Sequence, residues 1–233
     1  MEQTQLVKTA RVAGIWYLML AASGMLGFMV YHDKIFVSDN PGQTLSNLTE
    51  QVSVARIRLL FELIIIVSQA LAAVWFYKLF HPINKTAAVA IALWGTVNAV
   101  AIMVSAIAMY SAIGITTATF SVEEKTRMVQ ILTSIIRNAW NIGGLFFGLW
   151  LIPMGSLIIS SGRMPKLLGG ILILGGIGYL VQTFLKSMGV QGSYLGMLVM
   201  PATAAELWMI GYLLVFGIRP AIDHSSSQAR ADT

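Results

Sequence analysis

Apolar positions along this chain gather into six long runs broken by short polar stretches. A helix needs roughly 20 apolar residues to cross the hydrocarbon of a bilayer. On that measure the runs predict membrane spans at about 12–31, 57–79, 86–112, 132–159, 166–187 and 194–218. The fourth run is the one around which the others are organised. It opens on the polar turn Arg137-Asn138 and carries Gly144 and Gly148 in Gly-x-x-x-Gly spacing. Pro153 interrupts it, and Ser160-Ser161-Gly162-Arg163 closes it. Small residues at that spacing let membrane helices approach closely.

Local signals punctuate the runs. His32-Asp33-Lys34 ends the first, and Pro41-Gly42 reads as a turn in the polar loop that follows. Asn47-Leu48-Thr49-Glu50 fits a cap with an acidic third residue, so the second helix is expected to begin there, ahead of the membrane. His81-Pro82 stops that helix. The third starts near Asn84 or Lys85 and ends near Gly114, and Ser121 to Glu124 is a capping box for the fourth. Pro165 opens the fifth, with Gly189 as its cap. The sixth runs from Ser193 to Ile218, with Pro201 expected to free the carbonyl of Met197 and kink it. Residues 221–233, with Ser225-Ser226-Ser227, form a polar tail expected to be disordered. The whole chain, 1–233, reads as one membrane domain.

Composition agrees with the runs. Hydrophobic residues make up 57% of the chain and charged ones 11%, and the mean hydropathy is +0.75, too apolar for a soluble domain. The fold class is therefore an all-α integral membrane protein, a bundle of six spans. The net charge of +5 sits in short loops beside apolar runs, which points to membrane orientation and away from nucleic acid. Lys8, Arg11, Lys78, Lys85, Arg163, Lys166, Arg219 and Arg230 fall on one side. Lys34, Lys125, Arg127 and Lys186 fall on the other, with Arg56, Arg58 and Arg137 at its boundary. The short loops carry the positive-inside rule, so both termini are expected in the cytoplasm of a cell whose inner membrane holds the protein. Trp16, Tyr17, Trp75, Tyr77 and Trp150 would then form an inner aromatic belt, with Tyr31, Tyr110 and Tyr194 at the outer interface. Small residues at Ala21-Ala22-Ser23-Gly24 resemble a signal-peptide end, but apolar sequence continues to Val30, so the segment reads as a retained helix.

Candidate chemistry is confined to polar residues inside the spans. Arg58, Glu62 and Gln69 share one stripe of the second helix, by steps of four and seven. Ser134, Arg137, Asn138 and Asn141 share a stripe of the fourth. Glu206 lies about 18 Å along the sixth, near the midplane, and Asn98 of the third lies at similar depth. Ionisable groups in a bilayer are costly and face the bundle interior. The bland reading makes Arg58, Glu62 and Arg137 an ion-pair lock and ties Glu206 to Asn98 or a free carbonyl. The functional reading makes Arg58, Glu62, Gln69, Asn98, Arg137, Asn141 and Glu206 a polar site. There is no Cys, which removes thiolate metal sites and disulfides. His32, His81 and His224 lie in loops or termini, so none serves as an axial haem ligand. Metalloprotease and serine-hydrolase motifs are lacking, and no cofactor is expected.

Several stretches together resemble a known family. They are Ala10-Arg11-x-x-Gly14 with Tyr17-Leu18, Phe76-Tyr77-Lys78-Leu79-Phe80-x-Pro82-x-Asn84, Phe146-Phe147-Gly148-Leu149, Ser161-Gly162-Arg163-Met164-Pro165-Lys166-Leu167-Leu168-Gly169, and Gly176-x-x-Tyr179-Leu180. Across about residues 8–218 they are similar to the bacterial membrane family called domain of unknown function 4386. The resemblance implies a multi-span membrane protein and transfers no active site. Three functions follow from the residues. A structural or accessory membrane protein is the leading one. A carrier or binder of a small molecule or ion, with an outward polar cavity, is second. An intramembrane enzyme is third. The bilayer is the one partner the sequence implies, and a polar cavity of at least roughly 300 Å³ separates the first reading from the second.

Overall fold

A computed structural model describes residues 2–220. The expected polar tail, 221–233, lies outside the described residues. Among those described there is no strand. The helices are α1 (Gln3–Met25), α2 (Pro41–Glu50), α3 (Val52–Phe80), α4 (Lys85–Ile115), α5 (Val122–Ser161), α6 (Lys166–Ser187) and α7 (Met200–Val215). A π-helical segment, Leu26–His32, and a short turn, Asp33–Ile35, prolong α1, and a 3-10 segment, Ser193–Val199, leads into α7. With these extensions, six helices are long and apolar enough to cross a membrane, while α2 is the seventh, short one. The protein is a multi-pass membrane protein built as a helical bundle.

Helix ends follow side-chain caps. Asn84 accepts from the amide of Ala87 at 3.1 Å. Ser121 and Glu124 exchange reciprocal bonds, 3.3 Å and 2.8 Å, satisfying two orphan amides of α5. Gly162 closes α5 at φ 62°, a left-handed backbone that a side chain disfavours. Between those ends α5 runs for 40 residues straight through Pro153, so the proline does not break it. At 1.5 Å per residue it is roughly 60 Å long, and its first turns stand clear of the membrane.

Two local expectations are corrected. Asn47 to Glu50 does not start the second span; it is the last turn of α2. The cap is Asn40, which accepts from the amide of Gln43 at 3.0 Å, with Pro41 as first helical residue. Pro suits that position because its missing N–H is an orphan anyway. The Asn47 side chain instead donates to the carbonyl of Ile35 at 3.2 Å. Pro201, similarly, does not kink a continuous helix. It is in the first turn of α7, and the Met197 carbonyl accepts the amide of Met200. The 3-10 segment rises about 2.0 Å per residue against 1.5 Å for an α-helix, so Glu206 lies about 3 Å deeper than a continuous α-helix would put it.

Each spanning helix packs on its neighbour in sequence, α1 on α3, α3 on α4, α4 on α5, α5 on α6 and α6 on α7. Contacts of α7 with α1 close the ring. One end of the bundle gathers both described ends of the chain. Gln3 donates to the carbonyl of Ile218 at 2.7 Å, and the Arg219 amide to the carbonyl of Arg163 at 3.0 Å. We call this the termini end. There Gly14 of α1 meets Leu213 and Leu214 of α7. Toward the distal end the π-helical extension of α1 leans onto α3, with Gly27 against Phe61. There α2 buries Leu45 and Leu48 in a second apolar cluster with Ile35, Phe36, Met109 and Val129.

Tyr17 and Trp150 are not belt residues. Both are buried, and both pack on Phe76, at ring separations of 5.4 Å and 5.6 Å. Trp150 fills the space left by Gly95, where a Cβ would lie 2.3 Å from the indole. Tyr110 and Tyr194, by contrast, are exposed.

Candidate binding site

The stripe on α3 is buried as its spacing requires: Arg58, Glu62 and Gln69 all face the interior. Arg58 and Glu62, each 1% exposed, form a salt bridge one helical turn apart. The guanidinium also lies over the rings of Phe28 and Phe36, 5.2 Å and 5.8 Å from their centres. The other carboxylate oxygen of Glu62 accepts from the indole of Trp140 on α5 at 3.0 Å, and that indole also reaches Ser105 of α4 at 3.0 Å. Three helices are thus tied through one side chain. Arg137 has no part in this. It is exposed, and among the described residues the salt bridges are Arg58–Glu62 and Arg127–Glu123. The expected three-member lock is a pair plus an indole. The reason lies in geometry, because Glu62 finds a partner one turn earlier on its own helix.

Arg137 instead lines a cavity. With Asn138, Asn141, Gly144 and Phe147 it forms the α5 wall of a distal vestibule of about 690 Å³. Phe28, His32 and Asp33 from the end of the first span, Ser38 and Asp39 from the link to α2, and Tyr179, Gln182 and Lys186 from α6 complete it. The π-helical segment places His32 there, its ring between those of Phe28 and Phe36 at 5.2 Å and 4.8 Å. Such segments are frequent at functional sites. Asp39 holds φ 57°, a backbone that Asp tolerates better than most residues, and so turns the chain along the rim into α2.

Glu206 lies deeper. It lines a second cavity of about 150 Å³ with Tyr17, Leu20, Ala21, Gly24, Ile65, Trp140 and Phe147. The Tyr17 hydroxyl donates to its Oε1 at 2.6 Å. Its partner is thus a residue of α1, and neither Asn98 nor a free carbonyl. Trp140 and Phe147 belong to both cavities, so these two rings partition vestibule from chamber. Phe28 stacks edge-on against Trp140 at 4.5 Å and Tyr179 lies flat on Phe147 at 5.5 Å. Gln69 and Asn98 line neither cavity; they are buried, and neither amide has a hydrogen-bond partner among the described residues.

The sequence residues therefore divide into four sets, the buried pair Gln69 and Asn98 being outside both cavities. Arg137 and Asn141 line the vestibule, Glu206 the chamber, and Arg58 with Glu62 supports the partition. Tyr17, Trp140 and Phe147 were missed as site residues. An indole N–H in mid-membrane needs an acceptor, and Trp140 follows Arg137 by three residues on the polar stripe. That was the available signal.

A sequence model of a family described as a domain of unknown function, DUF4386, matches residues 12–217. The chain belongs to that family. DUF4386 therefore covers all six spans and both cavities. This DUF4386 chain is also similar to an uncharacterized protein of Archaeoglobus fulgidus, 29% identical over 126 residues. The shared stretch covers 54% of this chain and 65% of the relative, so the chain spans less than two thirds of that relative's length. No solved structure matches the chain.

Proposed function

We propose that this protein binds, and carries across the cytoplasmic membrane, a small molecule or ion that enters from the distal side. One observation carries the reading. The 690 Å³ vestibule and the chamber at Glu206 share Trp140 and Phe147 as walls. A vestibule of this volume lies within the roughly 300–1,000 Å³ of ligand sites, whereas a purely structural bundle has no need to leave its polar stripe unpacked. This favours the carrier over the structural or accessory role. By the positive-inside rule the distal side faces outward, with both termini in the cytoplasm.

The lack of native cysteine makes the test free of background. Asn141→Cys is expected to react, in intact cells, with a maleimide that cannot cross membranes. Reaction only in inverted vesicles would reverse the orientation, and no reaction in either would close the vestibule and end the reading.

Glu206→Gln keeps the size of the side chain and an oxygen for the Tyr17 hydroxyl. It is expected to melt with the parent, yet to abolish the uptake or resistance phenotype that a deletion strain reveals. A folded and fully active variant returns the structural role to the front.

A further inference from the structure

We infer that the inner chamber takes a compact organic ammonium cation. This rests on the binder reading above and names the class of its occupant. At about 150 Å³ the chamber has the size of apolar cavities that hold a benzene-sized molecule. Its walls set the chemistry. Tyr17, Trp140 and Phe147 bring three aromatic rings, Leu20 and Ile65 bring aliphatic surface, and Glu206 brings a carboxylate. Aromatic faces attract cations through the ring quadrupole, and rings grouped around a site recognise alkylated ammonium groups. An ionised carboxylate in apolar surroundings needs a counter-charge. Among the described residues no Lys or Arg is in the chamber walls, and Arg58 already has Glu62.

Other occupants fit less well. A hard metal ion asks for six or more oxygen ligands, and the chamber offers one carboxylate and one phenol, already joined at 2.6 Å. An anion meets the carboxylate with no cation to hold it. A neutral apolar molecule makes no use of Glu206. An alkylammonium uses every wall at once: methyl groups against the rings and aliphatic surface, charge against the carboxylate. It also uses the partition, because a cation coming from the vestibule passes the two rings, Trp140 and Phe147, that then enclose it.

The experiment is calorimetric titration of the full chain in lipid nanodiscs with tetramethylammonium chloride, against tert-butanol as an uncharged molecule of similar shape. Saturable binding of tetramethylammonium is expected, with none of tert-butanol. Glu206→Gln, with an unchanged melting temperature, should weaken the affinity by roughly tenfold or more, and Trp140→Leu should weaken it too. Equal binding of tert-butanol, or undiminished tetramethylammonium binding by Glu206→Gln, overturns the inference. So does the absence of any binding. Labelling of Asn141→Cys in the same preparation separates the two levels. A labelled protein blind to the ammonium loses this inference and keeps the binder reading, and an unlabelled one loses both.

Discussion

Replacing Gly155 by alanine is expected to cost about 1–3 kcal/mol of stability, and leucine at Gly148 or Gly155 considerably more. The helices α5 and α6 touch backbone to backbone at two levels. A Cβ on Gly155 would lie 2.4 Å from the carbonyl oxygen of Gly169, and one on Gly169 would lie 2.6 Å from that of Gly155. The same reciprocity joins Gly148 and Gly176, at 2.6 Å and 2.9 Å. The two levels are seven residues apart on each helix, two turns along an antiparallel pair. Carbonyl oxygens cannot rotate away as a side chain can, so the added methyl forces the helices apart. In a membrane that contact is most of what holds them, because lipid is as apolar as their side chains. Gly144 differs in kind: its Cβ would meet the Thr183 hydroxyl at 2.5 Å, a neighbour that can turn. Gly144→Ala is therefore expected to be milder. Gly170 and Gly211 have nothing within 4 Å and serve as controls expected to be near neutral or slightly stabilising. Thermal melts in detergent decide the matter. Gly155→Ala melting with Gly170→Ala would show that α5 and α6 are free to part.

The close-packing face of Gly144 and Gly148 was legible in the sequence because it depends on spacing within a single helix, and spacing is what a sequence displays. The same holds for the capping box at Ser121 and for the common face of Arg58, Glu62 and Gln69. What was not legible is which helix faces which, the approach of Gly155 to Gly169 included. Tyr17 was placed at an interface because an aromatic near the end of a span usually lies there, yet it reaches Glu206 across 189 positions of sequence. Arg137 was given to Glu62 on charge alone, and charge carries no direction. Local misreadings had local causes. Asn40 and Asn47 are both sound caps by type, and the choice fell to Pro41, which fixes the first helical turn at one of them. Pro201 was read as a kink since a continuous helix was assumed, whereas the 3-10 turn before it leaves the proline nothing to break.

Arg58→Met and Glu62→Leu are each expected to cost about 3–5 kcal/mol, because each leaves the other charge buried without its partner. The double variant is expected to recover most of that loss, since two apolar side chains of similar volume put no charge in the interior. Arg137→Gln, at an exposed position, is expected to stay within about 0.5 kcal/mol of the parent. The functional consequence is separate from the stability. Glu62 also accepts the Trp140 indole, and Trp140 is half of the partition between the cavities. In the double variant the bundle is expected to be stable while Trp140 keeps only Ser105 as its acceptor. Gly24 lines the chamber and has nothing within 4 Å of a built Cβ, so Gly24→Cys is a reporter that the fold tolerates. Its reaction with a small maleimide should be slow behind a pinned indole and faster behind a loosened one. A double variant whose loss is the sum of the two single losses would show that the ion pair is not a unit. An unchanged rate at Gly24→Cys in a stable double variant would show that the pair holds the bundle together without governing passage past Trp140.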